Sequence, residues 1–149
     1  MVTLEPVRYP FETSLRWEEG FKGTISCRGK PDLQVALPPD WGGIPGIWSP
    51  EDLFTASAEV CTMTTFLWLM DKKGSSIKSY TSKATGTIQM VDGLFKFAQI
   101  VVKPKVIVGS EKDRETAEWA FSQIQSCCLV SKSINHPLKV EPEIIVEEP

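Results

Sequence analysis

A helix that is apolar on nearly every side limits what this chain can fold into. Ser49-Pro50-Glu51-Asp52 places a hydroxyl at the N-cap, proline at the first helical position and acids in the first turn, which together start a helix. The helix is expected to run through Phe54, Ser57, Cys61, Thr64 and Trp68 to Lys72-Lys73, with Gly74 as its C-terminal stop. Between Val60 and Met70 it is apolar nearly all round, the pattern of a helix covered on every side. A chain of 149 residues has the size of one domain and can hardly cover such a helix alone. A second copy of the chain is the natural supplier of the missing surface. The apolar run falls far short of the ~20 residues a bilayer crossing needs, and Asp71-Lys72-Lys73 closes it, so a buried helix and no membrane partner are expected.

The flanking segments have the periods of strands. From Phe11 to Leu37, partial alternation broken at Glu19-Gly20 and at Arg28-Gly29-Lys30-Pro31-Asp32 predicts three antiparallel strands. Pro38 to Trp48, rich in proline, glycine and tryptophan without a period, is expected to be a loop. Ile77–Val91 and Phe95–Val108 are β-branched and joined by Asp92-Gly93, a hairpin signature. Ala117, Ala120, Phe121 and Ile124 recur at helical spacing, predicting a second helix over Glu111–Gln125 whose buried face continues onto Cys127 and Cys128. Leu138–Val146, interrupted by Pro142, is expected to close the fold as an edge strand. The expectation is a single α+β domain over residues 1–149.

A net charge of -3 and a pI near 5.2 offer no basic surface to nucleic acid. Met1–Pro10 lacks the apolar core of a secretory signal, so a cytoplasmic location is expected. Four cysteines in a reducing compartment are not a disulfide scaffold. With no Cys-x-x-Cys pair and one histidine, His136, no metal or bound cofactor is expected either. Cys61 lies about three turns into its helix, too far for the helix dipole to activate it, so any activation must come from elsewhere. By composition alone such a cysteine is a small apolar core residue.

In chain order, the Pro50-Glu51-Asp52-Leu53 segment, Cys61 ten residues after the glutamate, the strand pair and Cys128-Leu129-Val130-Ser131 at the end of the second helix resemble the OsmC/Ohr family. The resemblance covers nearly the whole chain. It implies an intertwined homodimer in which antiparallel sheets wrap two long central helices. It also implies a thiol-dependent peroxidase in which Cys61 attacks an organic hydroperoxide and becomes a sulfenic acid. Cys128 then condenses with that acid to a disulfide. An external dithiol, dihydrolipoyl or another thiol, restores the reduced state. Cys127 is the alternative resolving thiol; the spacing to Ser131 favours Cys128.

Glu51 is implied as a catalytic acid, yet ten residues at 1.5 Å rise set it about 15 Å from Cys61 along one helix. It must then act from the other subunit, or serve only the helix dipole. For the family's arginine, Arg28 is the first choice and Arg16 the second, while Asp40-Trp41-Gly42-Gly43 and Leu129 depart from the family's pattern. Trp41, Ile44, Trp48, Phe54 and Met63 are candidate walls of a hydrophobic substrate pocket. Cys27 is read as a passive thiol. Two rivals remain: an OsmC-like protein that binds a ligand or handles sulfur with the same pocket, and a cysteine hydrolase, for which only His136 is available as base.

Overall fold

The computed structural model of the chain describes residues 5–149 and forms two compact units, one up to Asp52 and one from Leu53 to Pro149. In the first unit, β1 (Ser14–Glu19), β2 (Lys22–Ser26) and β3 (Leu33–Ala36) make an antiparallel sheet in the order β1-β2-β3. The predicted loop 38–48 contains one 3-10 turn, Pro39–Trp41, and its Trp48 bridges to Val35.

The central helix, α1 (Pro50–Lys72), has the predicted bounds because both its ends are chemically closed. Ser49 Oγ accepts from the Asp52 amide at 3.1 Å and donates to the Asp52 carboxylate at 2.9 Å, while the Ser49 amide donates to the same oxygen. This reciprocal box satisfies amides that the first turn leaves unpaired. At the other end Gly74 takes φ 67° and the Ser75 amide reaches back to Met70 O at 3.0 Å, a left-handed cap that glycine adopts without strain. By length and composition alone α1 is long and apolar enough to cross a membrane. It nevertheless buries Ala58, Thr62, Phe66, Leu69 and Met70 within the protein, at the i, i+4 spacing of one face.

In the second unit, β4 (Ser79–Val91) and β5 (Leu94–Val108) pair antiparallel from Ser79↔Ile107 to Val91↔Leu94. Their turn is Asp92 (φ 51°) and Gly93 (φ 80°), the two left-handed residues that a tight hairpin requires. The tail departs from the expected single strand. It forms β6 (Leu138–Val140) and β7 (Glu143–Val146), which both pair parallel to β5 on the side away from β4, so the sheet is mixed. Pro142, which has no amide to donate, falls in the gap between them.

The second helix also departs from expectation. α2 (Glu111–Ser122) stops at Gln123, α3 (Ile124–Cys127) is one turn, and α4 (Leu129–Ser133) follows Cys128, whose backbone is extended at φ -73° and ψ 118°. Ile124 and Cys128 are both fully buried in one cluster with Phe66, Leu69, Val106 and Phe121, where the Phe66 and Phe121 rings stack at 4.1 Å. A smaller cluster holds Ala58, Ile100, Val102 and Leu138.

Candidate active site

The break at Cys128 builds the site. Cys61 projects from α1, half-buried, and the fully buried Cys128 thiol donates to its sulfur across 3.0 Å. Thr65, one turn on, has its hydroxyl 3.8 Å from the same sulfur. Because Cys128 is extended, α4 starts afresh after it, and its first amides have no partner within their own helix. Burial by itself pushes the Cys61 thiol up. Hydrogen bonds from the Cys128 thiol, the Val130 amide, Thr65 and the Leu129 amide outweigh it and bring Cys61 below the ordinary cysteine range. All of these donors are neutral. Cys128 moves the opposite way: burial, then its donation to Cys61, push it up to about 11, although the Ser131 amide donates to its sulfur at 3.5 Å. Two thiols in contact are thus shifted in opposite directions, Cys61 toward ionisation and Cys128 away from it.

A cavity of about 330 Å³ opens at Cys61, lined by Thr64, Thr65, Trp68, Cys127 and Leu129. The first three follow Cys61 by three, four and seven residues, the positions that share its helix face. That spacing was available in the sequence, while the expected pocket walls were drawn from other positions. Met63, two residues beyond Cys61, leaves the helix on another side, and Phe54 packs on the Phe97 ring at 4.5 Å. Neither lines this cavity. In the first unit Trp41 and Trp48 are exposed and Ile44 is half-buried.

Glu51 lies in the first turn of α1, and its Oε2 is buried with no hydrogen-bond partner among the described residues. Cys61 is ten residues further along the same unbroken helix. Arg28 and Arg16 are both exposed in the first unit. The second unit contains one arginine, Arg114, whose guanidinium is held by Ile144 O at 3.1 Å and by Glu111 at 3.2 Å. His136 sits against Phe54 and Phe97, its Nδ1 3.1 Å from Pro137 O. Cys27 directs its thiol to Glu12 O at 3.6 Å. Among the described residues no three of His, Cys, Asp and Glu gather as a metal-binding group.

The sequence pattern of the OsmC-like protein family matches residues 43–143, the stretch that contains α1, Cys61 and Cys128. The chain belongs to this family. Similar folds include an OsmC-like protein of unknown function from Vibrio cholerae, 18% identical, covering 93% of this chain and 100% of that one with a TM-score of 0.76. An organic hydroperoxide resistance protein OsmC from Legionella pneumophila is 18% identical, with 95% and 100% covered and a TM-score of 0.72. The organic hydroperoxide resistance protein OhrB of Bacillus subtilis is 20% identical, with 91% and 98% covered and a TM-score of 0.65. These likenesses establish the OsmC-like α+β fold. No curated protein matches the chain.

Proposed function

We propose that this OsmC-like protein is a thiol-dependent peroxidase that reduces organic hydroperoxides to alcohols in the cytoplasm. The observation that carries the reading is the 3.0 Å contact between a Cys61 whose ionisation is favoured and a Cys128 that keeps its proton. The Cys61 thiolate attacks the outer peroxide oxygen, the O–O bond breaks, and the departing alkoxide takes a proton to become the alcohol. Cys61 is left as a sulfenic acid. The Cys128 sulfur then attacks the Cys61 sulfur, water leaves, and a disulfide closes between them. An external dithiol supplies the two electrons that reopen it. The apolar Trp68 and Leu129 walls suit a hydrophobic organic peroxide.

A homodimer belongs to the same reading. Val60, Leu67 and Trp68 stand exposed on α1, opposite the face that fills the core, and a second protomer would cover them. Such a partner also resolves the position of Glu51. About 15 Å of helix separates it from its own Cys61, so its carboxylate serves the Cys61 of the other protomer. Arg28, ahead of Arg16, is the arginine proposed to polarise the peroxide.

The test is to mix reduced protein with one equivalent of cumene hydroperoxide and map thiols by mass spectrometry. Wild type should lose two thiols as a Cys61–Cys128 disulfide and Cys61→Ser should lose none. The double variant Cys127→Ser/Cys128→Ser should hold a sulfenic acid that dimedone traps. Unchanged thiols in the wild type would overturn the peroxidase and leave a ligand-binding or sulfur-handling protein.

A further inference from the structure

Three cysteines converge on this site, and the peroxidase chemistry uses only two of them. Cys127 closes α3 in helical conformation while Cys128 is extended, so neighbouring thiols leave the backbone in different directions. Cys128 enters the core and has no exposed surface. Cys127 is half-buried and lines the cavity at Cys61, with Ser126 Oγ 4.0 Å from its sulfur. Of the three residues, the cavity wall presents Cys61 and Cys127.

We propose that Cys127 is a third redox-active thiol that takes Cys61 over from Cys128, carrying the disulfide to the cavity wall where an external dithiol reduces it. The inference rests on the peroxidase reading. In the exchange, the Cys127 thiolate attacks the Cys61 sulfur, a Cys61–Cys127 bond forms and the Cys61–Cys128 bond breaks. Cys128 leaves with the electron pair and takes up a proton, so nothing is oxidised or reduced overall. One thiolate of the external dithiol then attacks the Cys127 sulfur and expels Cys61 as thiolate. The second thiol of the reductant closes its own disulfide and releases Cys127, and the reductant has lost two electrons.

The exchange solves a problem of access. A thiol from solvent cannot reach Cys128, so against the Cys61–Cys128 bond it must strike Cys61 and expel Cys128. That leaving group is poor, since its thiol is pushed up to about 11 and disulfide exchange is slower the more basic the departing thiolate. Against a Cys61–Cys127 bond the attack falls on an accessible sulfur and expels Cys61, the readily ionised thiol of the site. The slow expulsion of Cys128 is then left to a neighbour held in the same cavity, where proximity replaces collision.

The experiment oxidises wild type and Cys127→Ser with one equivalent of cumene hydroperoxide, counts lost thiols by alkylation and intact mass, then adds dihydrolipoamide and follows thiol recovery. Both proteins should lose two thiols, and the variant should recover at least tenfold more slowly. Equal recovery overturns the relay, as does a variant that closes no disulfide while the wild type does, because Cys127 is then the direct resolving thiol. Failure of the wild type to lose thiols overturns the peroxidase reading instead. In Cys128→Ser, Cys127 should close a disulfide with Cys61; a dimedone adduct on Cys61 with Cys127 still open to alkylation overturns the relay independently of how Cys127→Ser folds.

Discussion

Removing the Cys128 proton donor should make Cys61 harder to ionise, and the size of the effect follows from the contact. Among the hydrogen bonds that hold Cys61 below the ordinary range, the thiol of Cys128 at 3.0 Å is the largest contributor. A hydrogen bond of this kind is worth about 0.5–1.5 kcal/mol net, and Cys61 is only half-buried, so solvent screening favours the lower part of that range. Below the pKa of the thiol, about 0.5–1 kcal/mol converts to a roughly two- to fivefold fall in thiolate fraction. Cys128→Ala should therefore slow alkylation of Cys61 by iodoacetamide at neutral pH by about that factor and move the pH midpoint of the rate upward. Cys128→Ser keeps a donor and should recover part of the loss. The assay is peptide mass spectrometry of Cys61 alkylation against time at several pH values. Identical Cys61 rates and midpoints in wild type and Cys128→Ala would show that the Leu129 and Val130 amides suffice alone, and would refute the assignment.

Other consequences concern the frame around the site. At Gly86 an added Cβ would meet Thr55 Oγ1 at 2.3 Å and the Phe97 ring at 2.7 Å, so Gly86→Ala should destabilise by about 1–3 kcal/mol in chemical denaturation, and Thr55→Ala should relieve part of it. Burial, then the nearby Glu59 carboxylate, push the Tyr80 hydroxyl up to about 12, so the folded protein holds this proton while the unfolded chain releases it. Its stability is whole below about pH 10 and falls as pH rises toward 12; Tyr80→Phe should flatten that fall in alkaline melts, and superimposable curves would refute the account. The Tyr80 oxygen is also buried without a hydrogen-bond partner among the described residues, so Tyr80→Phe should not lower the melting temperature at neutral pH. If a second protomer covers α1, Val60→Asp with Trp68→Asp should yield a monomer in sedimentation velocity, and an unchanged sedimentation coefficient would remove that face from the interface.

α1 was legible in the sequence because both its ends are written in short-range chemistry: the Ser49–Asp52 box at one and Gly74 at the other. The β4–β5 hairpin was legible for the same reason, its Asp92-Gly93 turn setting the register from Val91↔Leu94 to Ile88↔Phe97, beyond which an irregularity at Thr87/Ile88 shifts the pairing by one residue. β6 and β7 were not, because a strand's direction in the sheet depends on where the chain re-enters after α4. Nothing in residues 138–146 encodes a parallel pairing with β5.

The break at Cys128 was equally hidden, since Gln123-Ile124-Gln125-Ser126-Cys127-Cys128-Leu129 contains neither glycine nor proline. The core takes both Ile124 and Cys128, yet four residues apart they would share one face of a continuous helix as well, so no local pattern in this segment announces the extended backbone at Cys128. The shift of Cys61 toward ionisation draws on this step. An uninterrupted helix would spend the Leu129 and Val130 amides on carbonyls four residues back, and Cys61 would lose two of the donors that favour its thiolate. Motif spacing singled out the two sulfurs that the fold brings to 3.0 Å, whereas their opposite shifts in ionisation draw on the extended backbone at Cys128, which that spacing does not encode.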